Sequence, residues 1–252
     1  MIQGLDTFRE YFKGFEDRYT LIGGVACYLS MEDAGIDFRA TRDLDIVLCA
    51  EALDAEFVAQ FWAFVKAANY EHQEKSSDDK QYYRFSKPES EDYPEMIELF
   101  SRKSDDLLLK IDNGLTPISV DESVYSLSAI LLNDDYYQCL QEGTDVLDGL
   151  PILKVGYIIP FKMRAWSDLT ERKSAGEKID SQKIKKHKSD VFKISQLLAP
   201  TQTVELSGSI RNDMRNFIKA MAGETIDLKV WKMHGITVDQ ILDNLKQIYG
   251  LE

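Results

Sequence analysis

The chain has 252 residues, 44% of them hydrophobic and 29% charged, with a formal net charge of −13. That length supports one large domain or two modest ones with a sizeable core. The acidic balance argues against broad affinity for nucleic-acid phosphates.

No apolar run reaches the length of a membrane span, and the opening MIQGLDTFREYFKG lacks the apolar stretch of a signal peptide. A cytoplasmic protein with no membrane association is therefore expected. Cys27, Cys49 and Cys139 are too widely spaced, with His72, His187 and His234 scattered among them, to suggest a zinc site. Reduced, mostly buried thiols are expected, and any metal is expected to be a hard ion held by carboxylates.

In chain order, LDTFREYFKGF has helical spacing, with Leu5, Phe8, Tyr11, Phe12 and Phe15 on one side. YTLIGG is a short β-rich run stopped by two glycines, and VACYLSMEDAG reads as a helix ending near Gly35. DLDIVLCA reads as a buried strand. LDAEFVAQFWAFVKAANY is an amphipathic helix whose stripe includes Phe57, Val58, Phe61, Trp62, Phe64 and Val65. Those aromatics are read as packing groups, as is Cys27. QYYRFS, MIELFS, DLLLKI and YSLSAILL look β-like, separated in places by acidic loops such as EKSSDDK and PESEDYPE. LPILKVGYIIPF is a further β-like run or an approach to the next helix.

From Pro160 the pattern turns helical, over roughly 160–173, 180–199, 206–222 and 237–249. The expected architecture is α+β: residues 1–155 form a mixed sheet with flanking helices, and 156–252 form a helical domain. Between Lys162 and Lys193 there are ten Lys or Arg against five Asp or Glu, a basic stretch in an acidic chain. It suits a polyanionic ligand, or simply forms a solvated helix face.

The chemistry concentrates in RATRDLDI. Asp43 and Asp45 alternate with Leu44 and Ile46, so in a strand both carboxylates share one face, about 6.5–7 Å apart at Cα. Two ionised acids aimed the same way repel unless a cation intervenes, and a divalent ion with oxygen ligands is the usual solution. Gly23 and Gly24 lie between a strand and a helix, where backbone N–H groups can approach phosphate oxygens. Glu98 sits inside the apolar strand MIELF. It must face solvent or meet a cation, because burying its charge alone costs several kcal/mol, on the order of the unpaired-ion penalty.

The set LIGGVA, RATRDLDI and MIELF resembles the nucleotidyltransferase fold shared with DNA polymerase β, and more narrowly the AbiEii family of nucleotidyltransferase-like toxins. FKMRAW is similar to that family's K-x-x-A helix at Lys162 and Ala165. KKHKSDVFKI is similar to its K-D-x-x-D helix at Lys186 and Asp190, with His187 standing where the family has the first acid. The resemblance implies that Asp43 and Asp45 bind Mg²⁺ and that Glu98 is a third acid, holding a second Mg²⁺ or taking a proton from the acceptor hydroxyl. It implies an NTP substrate whose phosphates meet the backbone at Gly23 and Gly24. Arg39 and Thr41 order the loop or touch a phosphate. Lys162 and Lys186 are triphosphate candidates that also fit solvated helix positions, and Asp190 is expected to orient a cation. The implied acceptor is tRNA or another nucleic acid if the protein is the toxin of a toxin–antitoxin pair with a cognate antitoxin. A small-molecule acceptor such as an antibiotic, or an inactive nucleotide-binding or protein-interaction module of the same fold, are the alternatives.

Overall fold

The computed structural model describes residues 2–49, 54–76, 81–101, 116–118, 127, 130–131 and 133–252. The fold is α+β. The chain divides into two compact units, one comprising Met1–Asp121 and Thr144–Leu153, the other Glu122–Gly143 and Lys154–Glu252.

The first unit is built on a mixed sheet. Its strands are β1 Tyr19–Ile22, β2 Asp43–Leu48, β3 His72–Ser76, β4 Gln81–Ser86, β5 Met96–Ser101, β6 Thr116–Ile118, β7 Thr144–Leu147 and β8 Leu150–Leu153. Among the described residues they run in the order β6-β3-β4-β5-β2-β1-β8-β7. Strand β2 is central, antiparallel to β1 and parallel to β5. Among the described residues, three helices belong to this unit: α1 Leu5–Tyr11, α2 Gly23–Asp33 and α3 Ala55–Ala68.

One side of the sheet is closed by aromatic packing. The Phe8 ring meets Tyr19 at 5.5 Å and Phe64 at 5.7 Å, and Phe61 meets Phe85 at 5.7 Å. Phe61 and Phe64 are therefore core groups, and Trp62 joins them edge-on to Phe85. Leu44, Ile46 and Leu48, which alternate with the two aspartates, are all buried. Strand β2 is thus anchored through one face, which leaves its other face available for polar work.

Several sequence expectations change here. The segment 74–80 reads as a loop, yet residues up to Ser76 belong to β3. This strand has no apolar alternation to announce it and forms by pairing with β4 and β6. The expected run at 106–111 lies outside the described residues. Of the expected β-like run 125–132, the described residues 127, 130 and 131 are helical. The β7–β8 hairpin turns at Asp148-Gly149, with φ of 48° and 74°, the positive values that an Asp-Gly hairpin turn supplies.

The second unit is helical: α4 Asp134–Gly143, α5 Val155–Ser174, α6 Ser181–Ile194, α7 Gly208–Ala222 and α8 Val238–Tyr249. Residues 134–143 belong to it although they precede the expected boundary at 155, because α4 buries Tyr136, Tyr137, Cys139 and Leu140 among these helices. Tyr136 meets Phe161 edge-on at 5.1 Å. Burial pushes the Cys139 thiol up to about 12, with Glu142 adding to the effect, so Cys139 stays a protonated packing group.

Helix α5 starts at Val155, five residues before its expected start, and Pro160 lies inside it. A proline there has no N–H to give the carbonyl four residues back. That carbonyl belongs to Gly156, and it accepts a hydrogen bond from the buried Tyr249 hydroxyl at 2.8 Å. The last turn of the last helix thus satisfies the group the proline orphans. Tyr249→Phe is expected to cost about 1–3 kcal/mol, the penalty of an unmet buried carbonyl, read as a lower denaturant midpoint with an unchanged slope.

Candidate active site

Strand β1 ends at Ile22, and the chain enters α2 through Gly23, whose φ is +64°. Ile22 stands opposite Asp45 in the β1–β2 register, so the turn delivers Gly23 and Gly24 directly onto the Asp45 side chain. The Gly24 N–H donates to Asp45 Oδ2 at 3.2 Å. A Cβ on Gly23 would lie 1.8 Å from that same oxygen. A Cβ on Gly24 would lie 2.7 Å from Thr41 Oγ1 and 3.7 Å from an Arg39 guanidinium nitrogen. The two glycines allow close approach, of Asp45 to one and of Thr41 to the other, with Arg39 in ordinary contact beside Thr41.

Asp43 and Asp45 are both half-buried and share the face of β2 away from Leu44 and Ile46. Asp45 is also the register partner of Glu98 on β5, so all three acids lie on one face of neighbouring strands. One oxygen of Asp45 sits at the N-terminus of α2, where the helix dipole favours an anion. Glu98 is 8% exposed, and its Oε1 accepts from Arg84 Nε at 3.1 Å and Nη2 at 2.8 Å. Arg84 is the register partner of Glu98 on β4, which completes a row running Asp45, Glu98, Arg84 across three strands.

Arg84 is the residue sequence reasoning missed. The available signal was a lone basic residue inside QYYRFS, matching the lone acid inside MIELF. Among the described residues, no three His, Cys, Asp or Glu side chains group closely enough to hold a metal ion. Asp43 and Asp45 nonetheless fit a hard divalent ion, since they offer carboxylate oxygens from one accessible face.

The structure brings Gly23, Gly24, Arg39, Thr41, Asp43, Asp45 and Glu98 into one neighbourhood of the first unit. No family model matches the chain, and no curated protein matches it. The remaining candidates lie in the second unit. Lys162 on α5 is buried, and its Nζ donates to the fully buried carboxylate of Asp190 on α6 at 3.0 Å. Lys186 on α6 is exposed. Asp190 thus orients a lysine, and the Lys162 ammonium is held within the helical core. Among the described residues, no helix is long and apolar enough to cross a membrane.

Proposed function

We propose that the protein is a cytoplasmic, Mg²⁺-dependent nucleotidyltransferase that moves a nucleoside monophosphate from an NTP onto a hydroxyl and releases pyrophosphate. The observation that carries this reading is Asp45 seated on the Gly23–Gly24 turn, with Asp43 beside it on the same strand face. Acids for a divalent ion meet the start of a helix there, with the Gly24 N–H given to Asp45 Oδ2.

In this reading, Asp43 and Asp45 hold Mg²⁺, and the first turn of α2 receives phosphate oxygens. A bound Mg²⁺ supplies charge neutralisation for the triphosphate and for the leaving pyrophosphate. Arg39 and Thr41, packed on Gly24, fix the loop that presents Asp43. Glu98 is the third acid, adjacent to Asp45 and oriented by Arg84. The new bond would join the acceptor oxygen to the α-phosphorus, the bond from that phosphorus to the bridging oxygen would break to release pyrophosphate, and the acceptor hydroxyl would give its proton to the Glu98 carboxylate.

The resemblance to AbiEii toxins supports a tRNA or other nucleic-acid acceptor and a cognate antitoxin. The net charge of −13 favours a small or locally recognised acceptor over broad RNA binding. Supplying α-labelled NTPs with Mg²⁺ and either bulk tRNA or a small-molecule panel tests the reading and separates the acceptors. Label entering neither pool under any NTP counts against transfer.

A further inference from the structure

We infer that Arg84 occupies the place of a second divalent ion, so that this site holds one metal ion and uses a guanidinium as its other fixed cation. The inference rests on the reading of Asp43 and Asp45 as metal ligands and goes beyond it. Three acids on one sheet face call for positive charge. Two of the compensating groups are visible: the Gly24 N–H on Asp45 and the Arg84 guanidinium on Glu98.

The Arg84 contact is a built one. The register sets Arg84 directly across from Glu98, two nitrogens converge on one oxygen, and the two side chains are 20% and 11% exposed. A guanidinium stays charged at every working pH and is rigid enough to hold such a fork. A divalent ion at Glu98 would have to bind against that charge at contact distance, in a half-buried setting where screening is weak. Asp43 and Asp45 are still placed to take one ion. Arg84 is thus a positioning residue: its two-nitrogen contact holds the Glu98 carboxylate in place beside Asp45.

Mn²⁺ binding to the full chain, counted from the loss of the free-ion electron paramagnetic resonance signal, tests this without reference to activity. Wild type is expected to bind one Mn²⁺ per chain, and Asp43→Asn/Asp45→Asn none. Arg84→Gln is expected to bind a second ion, Arg84→Lys to stay at one, and Arg84→Gln/Glu98→Gln to return to one. Glu98→Gln, which keeps the arginine and removes the acid a second ion would need, is expected to leave the single ion in place; this variant decides the matter if Arg84→Gln fails to fold. Two ions in wild type, one ion in folded Arg84→Gln, or loss of the ion in Glu98→Gln each overturns the inference while leaving the nucleotidyltransferase reading standing. No ion in any variant overturns the metal reading and the inference together.

Discussion

Gly23→Ala is expected to lower nucleotide transfer by about a hundredfold, the scale of a displacement near 1 Å in a reacting site, while the chain stays folded. Two effects combine at this position. The backbone is left-handed, which costs a residue with a side chain about 1–2 kcal/mol. The added methyl would also sit 1.8 Å from Asp45 Oδ2, so the carboxylate or the turn must move. Gly35→Ala separates the two. Gly35 has a φ of +70°, and nothing lies within 4 Å of its virtual Cβ, so it carries the backbone penalty alone. The expected pattern is a loss of stability in both variants, measured by denaturant unfolding and larger in Gly23→Ala by the cost of displacing Asp45, with the rate lost only in Gly23→Ala. Equal activity in the two would show that Asp45 tolerates displacement and that the turn has no part in the chemistry.

The second large effect is expected at the buried pair of the helical unit. Asp190→Ala leaves the Lys162 ammonium in a core position without its carboxylate, and removing one partner of a buried pair costs about 3–5 kcal/mol. Lys162→Met/Asp190→Leu removes both charges in groups of comparable size and is expected to recover most of that loss. Chemical denaturation of the three proteins reads the difference. If Asp190→Ala unfolds at the wild-type midpoint, the pair is not a structural tie between α5 and α6. The pair also bears on Lys162 as a triphosphate ligand, because that role requires its ammonium to leave a carboxylate 3.0 Å away that has no exposure to water. Transfer by the double variant at the wild-type rate would end that assignment.

Much of this site was legible because a strand has a period of two. Once Leu44 and Ile46 are taken as core, Asp43 and Asp45 must share the other face, and the structure shows both halves of that alternation. The stripe of α3 was equally plain, since Phe57, Phe61, Phe64 and Val65 repeat at helical spacing. What escaped the sequence depends on partners distant in the chain. His72–Ser76 is a strand only because β4 and β6 flank it. Val155–Ile159 is apolar and rich in β-branched residues, so it reads either as a β-like run or as an approach to the next helix, and the structure makes it the helix itself. Its helix contains a proline whose orphaned carbonyl is met by Tyr249, some ninety residues later. Arg84 is of the same kind: a lone arginine in a strand gains its role only when the register puts Glu98 across from it.

The Arg84–Glu98 bond also changes how the third acid is understood. A carboxylate inside an apolar strand looked like either a solvent-facing residue or a metal ligand. In the fold it is buried and paired, which makes it part of a charge row shared by three strands.

The most direct test of the central claim compares transfer of label from α-labelled NTP by the wild-type chain and by Asp43→Asn/Asp45→Asn, each with Mg²⁺ and an acceptor pool of tRNA or small molecules. The substitutions keep the size of both side chains and remove only their charge. The prediction is Mg²⁺-dependent label in acceptor with wild type and none above background with the folded double variant. Transfer at the wild-type rate by the double variant, or label incorporated by wild type without any divalent ion, would contradict it.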